Sequence, residues 1–408
     1  MARLSTKFLI LASLIAASAA SAQQLKVGET ITVRLEDLPP PGATPSASLP
    51  PRVIKRPDGA TLTVPPGFHI SVFAQGLTHA RWLLTAPNGD VFVAESRKGH
   101  ITVLRDTTGT GIADFVSVFT TGFDRPHGMA IHDGYFYIAD TVGLWRVPYQ
   151  TGQTSSNAKP ERLTPPNAIG DGIGHWTRNI VFAPKGDHLF MAIGSESNLD
   201  KTPAPRASIQ EFAADGTQQR TFAFGLRNPV GIAFRPGTDE LWTVVNERDT
   251  LGDGLVPDYL TRVQDNGFYG WPYSYLGNHP QPGFADKRPD LVNQAIVPDL
   301  LFRAHSAPLG LVFYDGTQFP SEYQGDAFVA LHGSWNSANP TGYAIVRVPF
   351  KDGKPTGSYQ PFLTGFRVND DVPAQVWGRP VGLTLAKDGS LLVADDVGGI
   401  VWRVSYSK

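Results

Sequence analysis

The chain has 408 residues, with 42 glycines, 34 prolines, no cysteine and a net charge of −2. The missing cysteines exclude a disulfide framework, a thiolate nucleophile, cysteine-ligated zinc or iron–sulfur clusters and c-type haem attachment. The near-zero charge argues against a nucleic-acid binder that works by neutralising phosphates, and 41% hydrophobic residues are too many for a disordered chain.

Residues 1–22 read as a secretory signal peptide. Arg3 and Lys7 precede the apolar run that starts at Phe8, and Ala20-Ser21-Ala22 is a small-residue cleavage signature. The competing reading is an N-terminal membrane anchor, for which the run is short. No later stretch reaches the ~20 apolar residues of a membrane span, so the expected location is periplasmic or secreted. Residues 23–64 form a Pro-rich arm (Pro39-Pro40-Pro41 and Pro50-Pro51) that wraps or links, with a short strand expected from Gln24 to Leu35.

Residues 65–408 carry a repeat: a basic residue near a turn, a strand, a Pro/Gly/Asp turn and a second strand. It occurs at His79–Glu95, Arg125–Asp140, His175–Gly194, Arg227–Asn246, Ser306–His332 and Gly378–Asp395. A further strand with a basic residue follows several hairpins, as at Arg105, Arg146, Arg347 and Arg403. The first three intervals are each about 50 residues, the length of a four-stranded propeller blade. The two long later intervals imply inserted loops in blades four and five. The predicted fold is all-β, a six-bladed β-propeller of four-stranded antiparallel blades. It makes one domain where length alone suggests two or three; a pair of β-sandwiches is the alternative.

Inner strands of a propeller line its central channel. Arg81, His127, Arg178, Arg227 and Arg379 recur near inner-strand starts, so cationic or imidazole groups converge on the channel mouth. They repel one another unless a multiply anionic ligand lies between them, or unless each pairs with a carboxylate such as Asp124, Asp140 or Asp395. The loop Val245–Asp258 offers carbonyl and carboxylate oxygens of the kind a hard cation takes, or is simply a solvated acidic loop. Asn266–Pro272 reads as an aromatic wall.

Arg227-Asn-Pro-Val-Gly, Asn246-Glu-Arg-Asp and Asp265–Pro272 together resemble the soluble sugar dehydrogenases that depend on pyrroloquinoline quinone (PQQ). Leu331–Asn336 and Gly342–Val348 resemble the L-sorbosone dehydrogenase branch most. The resemblance covers about residues 65–405. It implies a six-bladed propeller that holds PQQ, an ortho-quinone with three carboxylates, together with Ca²⁺. It makes His175 the general base that takes the sugar hydroxyl proton. Arg227 would polarise the quinone oxygen beside Asn228, and Arg379 would bind PQQ carboxylates. Arg81, His127, Arg178 and His332 would contact the cofactor, and Glu247, Arg248 and Asp249 would supply calcium ligands. The chain departs from glucose dehydrogenases at Arg248-Asp249, where those have Gly-Pro, at Val230, where they have Gln, and near His332, where they have Lys. The implied partners are a small-molecule sugar and a separate electron acceptor. Two other readings are a gluconolactonase-like metal lactonase and a non-enzymatic propeller that binds protein or glycan.

Overall fold

A computed structural model describes residues 24–407 except Thr202; the expected signal peptide lies outside the described residues. Six blades surround a central axis. Blade one comprises Ala80–Thr85, Val91–Glu95, His100–Arg105 and Phe115–Thr121; blade two Gly128–His132, Tyr135–Ala139, Leu144–Pro148 and Glu161–Arg162. Blade three comprises Arg178–Phe182, His188–Ile193, Ser208–Ala213 and Arg220–Phe224; blade four Pro229–Phe234, Leu241–Val245, Pro257–Arg262 and Leu300–Ala304. Blade five comprises Pro308–Phe313, Ala327–Leu331, Ala344–Val348 and Gln360–Leu363. Blade six takes its three inner strands, Pro380–Leu385, Leu391–Asp395 and Ile400–Tyr406, from the C-terminus, and its outermost, Phe68–Gln75, from the N-terminal side. That antiparallel pairing, Phe68 opposite Tyr406, latches the ring shut. Consecutive inner strands pack together, the sixth against the first. Among the described residues, no helix is long and apolar enough to cross a membrane.

Each blade buries both faces against its neighbours, which is why its strands read as near-continuous apolar runs. Between blades one and two, for example, Trp82, Phe92, Phe119, Phe136 and Tyr149 share one cluster. The basic residues of the third strands clamp hairpin turns or strand edges. Arg105 reaches Asp90 at 2.6 Å, Arg347 reaches Asp326 at 2.6 Å, and Arg146 reaches Glu161 at 2.7 Å.

Two expectations change. Blade three gains a fifth, parallel strand, Gly267–Phe268, supplied by the insertion of blade four. The strand expected over Gln24–Leu35 is a single bridge between Ile31 and Tyr359, followed by a 3₁₀ turn at Leu35–Asp37. The reason is Pro361. Gly28 donates to its carbonyl at 2.9 Å, but proline has no N–H to return, so the ladder stops. The arm then runs past the blade-four and blade-five loops. Gly42 N–H bonds Leu251, Thr44 and Ser46 accept from Asp253 and Gly252, and Leu49 N–H bonds the Trp335 carbonyl.

Candidate active site

The repeat brings one residue from each inner strand to the axis: Arg81, His127, Arg178, Val230, Leu309 and Val381. The last three form a cluster of their own. Four of the six are followed by glycine, because the next blade approaches there. A Cβ on Gly128, Gly231, Gly310 or Gly382 would lie 2.5, 2.7, 2.1 or 2.8 Å from the carbonyl oxygen of Arg178, Leu309, Val381 or Arg81. Arg81, Val230 and Leu309 of this half-basic, half-apolar layer floor a cavity of about 430 Å³. The residues just ahead of the inner strands of blades three, four and six, together with residues of the loops at Asn246–Asp249, His305–Ala307 and His332–Asn336, form its walls.

His175 stands three residues before Arg178 on the rim. Its Nδ1 lies 2.9 Å from the Ser195 carbonyl and 3.1 Å from Ser195 Oγ. Ser195 Oγ donates to the Ser197 carbonyl, so both oxygens accept and Nδ1 carries the hydrogen. That leaves the Nε2 lone pair free. Burial, then the charge of Arg227, lowers the imidazole pKa to about 3, so the ring is neutral near pH 7.

Arg227 is a hub. Its Nε donates to the Asn198 carbonyl at 3.0 Å, Nη1 to the Glu247 carbonyl at 2.7 Å and Nη2 to Asn198 Oδ1 at 2.9 Å, with Asp249 Oδ2 at 3.2 Å. Asn198 Oδ1 also takes the Asp249 N–H at 2.7 Å. The far wall is acidic. Burial pushes Glu247 and Asp258 up to about 7. Asp258 accepts the Glu247 and Ala307 amides at 2.8 Å each, while Glu247 Oε1 has no partner. Burial would raise Asp249, but His305, Arg227 and Asn336 hold its carboxyl below the usual range.

The opposite wall is cationic. Asp396 accepts Arg81 Nη1 at 2.7 Å and His332 Nε2 at 3.1 Å. Burial, then Arg379, lowers His332 to about 4. Arg379 donates to the carbonyls of His332 (2.9 Å) and Gly333 (2.6 Å) and has no carboxylate partner among the described residues. Its second terminal nitrogen is left for a ligand.

Of the sequence-predicted residues, Arg81, His175, Arg227, Asn228, Glu247, Asp249, His332 and Arg379 line one cavity. His127 and Arg178 lie beneath its floor, each fully buried. Arg248 turns away to the Asp249 carbonyl and Thr250. The anticipated carboxylate partners do other work: Asp140 and Asp395 cap backbone amides, whereas Asp396 and Asp249 pair with the cavity arginines. Sequence reasoning missed Asn198, Asp258, His305 and Asp396. Asp258 closes the very loop singled out for oxygen ligands; the other three sit in turns without periodicity. Among the described residues, no group of three or more His, Asp or Glu side chains is arranged to hold a metal.

A six-bladed ring with a charge-segregated cavity on its axis, a bare histidine nitrogen at its rim and arginines facing carboxylates across it defines the class of site. The TrAA12-like family model matches residues 62–258 and 284–407, and the chain belongs to that family. It is 30% identical over 369 residues to an uncharacterized protein of Borreliella burgdorferi, covering 86% of this chain and 92% of the relative. It is 26% identical over 409 residues to the pyrroloquinoline quinone-dependent pyranose dehydrogenase of Coprinopsis cinerea, covering 84% of this chain and 54% of the relative, about half that protein's length. The solved holo PQQ domain of that dehydrogenase superposes with a TM-score of 0.71 at 22% identity, over 87% of this chain and 99% of the domain, a likeness of fold.

Proposed function

We propose that the protein is a PQQ-dependent sugar dehydrogenase of the periplasm or the secreted fraction, oxidising an aldose or a sorbosone-like aldehyde sugar and passing the electrons to a separate acceptor. The observation that carries this reading is the pairing of a bare His175 Nε2 with Arg379, a half-buried guanidinium with no carboxylate hydrogen-bonded to it among the described residues, across one cavity. The cavity volume lies within the range of cofactor sites. PQQ fits its chemistry: Arg379 and Arg81 meet carboxylates, and Asn228 Oδ1, which lacks a partner, and Arg227 face the same space. Calcium belongs on the acidic wall. Of Glu247, Arg248 and Asp249, only Glu247 keeps an unpartnered oxygen, Asp249 being committed to Arg227 and Asn336. Glu247 is therefore the side chain that would hold the ion.

PQQ supplies a two-electron hydride acceptor when bound. The protein's own work is proton transfer and positioning. His175 Nε2 removes the proton of the anomeric hydroxyl, or of a hydrated aldehyde, while the Ser195 carbonyl and Oγ hold the ring by Nδ1. Arg227, braced by Asn198, fixes the loop of Glu247 and Asp249 opposite the base. Trp335, 47% exposed on the rim, offers a flat apolar face to a pyranose.

The lactonase reading needs carboxylate and amide oxygens free for a catalytic metal. Asp249 accepts from Arg227 and Asn336, and Asp258 from the Glu247 and Ala307 amides, which leaves Glu247 as the one carboxylate of that wall with an unpartnered oxygen among the described residues and disfavours a site built from several carboxylates. The deciding experiment supplies purified protein with PQQ and CaCl₂ and follows dye reduction across aldoses and sorbosone, with lactone hydrolysis in parallel. Dye reduction with a sugar supports the proposal; lactone hydrolysis without it refutes the dehydrogenase.

A further inference from the structure

The side chain that does most to hold His175 in place lies outside the cavity. Residues 163–177 contain no strand, so no ladder fixes the turn that carries the imidazole. Arg206, 3% exposed and just ahead of the third strand of blade three, takes over that work. Its Nε donates to the Gly194 carbonyl at 2.7 Å and its Nη1 to the Asp171 carbonyl at 3.1 Å. Its Nη2 faces the carbonyls of Ile173 (2.6 Å), Ser195 (3.0 Å) and His175 (3.2 Å). One planar guanidinium therefore ties three carbonyls of the turn to two of the segment beside it, which a lysine with its single nitrogen cannot do. Arg178 adds a second grip, donating to the carbonyls of His175 at 3.0 Å and Asp171 at 2.5 Å. Glycines let the pieces meet. A Cβ on Gly170 would lie 2.7 Å from Arg206 Cδ, and one on Gly194 would lie 2.5 Å from His175 Cβ.

The Ser195 carbonyl is the joint. It accepts the His175 backbone N–H at 3.1 Å, the Nδ1 hydrogen at 2.9 Å and Arg206 Nη2 at 3.0 Å. The oxygen that fixes the tautomer of the imidazole is thus itself fixed by Arg206. The charge of Arg206 works the other way. Burial, then Arg227, lowers the His175 pKa to about 3, and Arg206 acts in the same direction. A guanidinium at this place serves a base by geometry and against its charge.

We propose that Arg206 is a positioning residue for the base: it clamps both the turn that carries His175 and the carbonyl that takes its Nδ1 hydrogen, and so aims Nε2 into the cavity. This rests on the reading of His175 as the base.

The test compares the wild type with Arg206→Met, as whole protein with and without PQQ and calcium. In the PQQ-loaded protein, kcat should fall roughly 10- to 100-fold while the sugar KM and the PQQ dissociation constant stay within about threefold, because the clamp touches neither ligand. In the apoprotein, nitrogen NMR of the imidazole should show a single tautomer with hydrogen on Nδ1 in the wild type and a mixture in the variant. Arg206→Ala should regain part of its kcat and the single tautomer in millimolar guanidinium, which can enter by the surface pocket that Arg206 lines with Phe224 and Trp271. Should these variants fail to fold, Arg206→Lys, which keeps the charge and most of the volume, decides: a loss of kcat is expected, and full kcat overturns the proposal. Unchanged kcat in Arg206→Met overturns it too, as does an equal loss of kcat, KM and PQQ affinity with the tautomer intact. A wild type that oxidises no sugar removes the dehydrogenase reading alone, and the apoprotein spectra still decide the role of Arg206.

Discussion

The same place in the repeat, three residues ahead of the floor layer, carries His175 in blade three and Arg227 in blade four. They differ in what surrounds them. Arg227 is spent on carbonyls, Asn198 and Asp249, whereas His175 is held by one nitrogen and left bare at the other. His175→Ala should therefore lower kcat by about 10²–10⁴ while PQQ is still retained, as measured by dye reduction and by cofactor absorbance after desalting; full activity would remove the base assignment. The pH sign follows from the shift. A histidine lowered to about 3 stays neutral until acid reaches that value. Imidazole NMR of the apoprotein should then show no protonation of His175 between pH 8 and 4.5, and a midpoint near 6.5 would contradict the buried tautomer. Arg379→Ala removes charge-assisted bonds worth about 1.5–3 kcal/mol, so PQQ dissociation should rise roughly 10- to 100-fold with less effect on kcat at saturating PQQ. Binding titration checks both.

The hairpins were legible in the sequence because each strand pair alternates with a turn that demands Gly, Asn or Asp, and because the Pro-x-Gly signature recurs at inner-strand starts. The glycine of that signature is there for room. At Gly310 a Cβ would meet the Val381 carbonyl at 2.1 Å, the tightest approach of the four. Gly310→Ala should cost about 1–3 kcal/mol, read as a lower Tm and an earlier denaturation midpoint; an unchanged midpoint would mean that blades five and six do not pack as described. The latch strand Phe68–Gln75 was not legible, since its partner lies some 330 residues away and no local pattern names it. The arm's strand failed for a local reason, the missing N–H of Pro361. Asn198, His305 and Asp396 were invisible because their roles arise only when loops of different blades meet.

For the molecule as a whole, a net charge of −2 conceals an ordered separation. Arg81 and Arg379 lie on one side of the cavity and Glu247, Asp249 and Asp258 on the other, with His175 and Arg227 between. An anionic quinone with a hard cation beside it is the ligand pair that such a polarity suits. The N-terminal arm ties down the loops of both Asp249 and Trp335, so the rim is braced from outside the ring. The axial cavity is thus proposed as a PQQ site. Its most direct test is a spectroscopic titration of the purified apoprotein with PQQ in the presence of calcium, followed by addition of sugar. Saturable binding of one PQQ per chain is expected, weakened in Arg379→Ala, with a change from the oxidised to the reduced cofactor spectrum when substrate is added. Absence of saturable PQQ binding by the wild-type protein would contradict it.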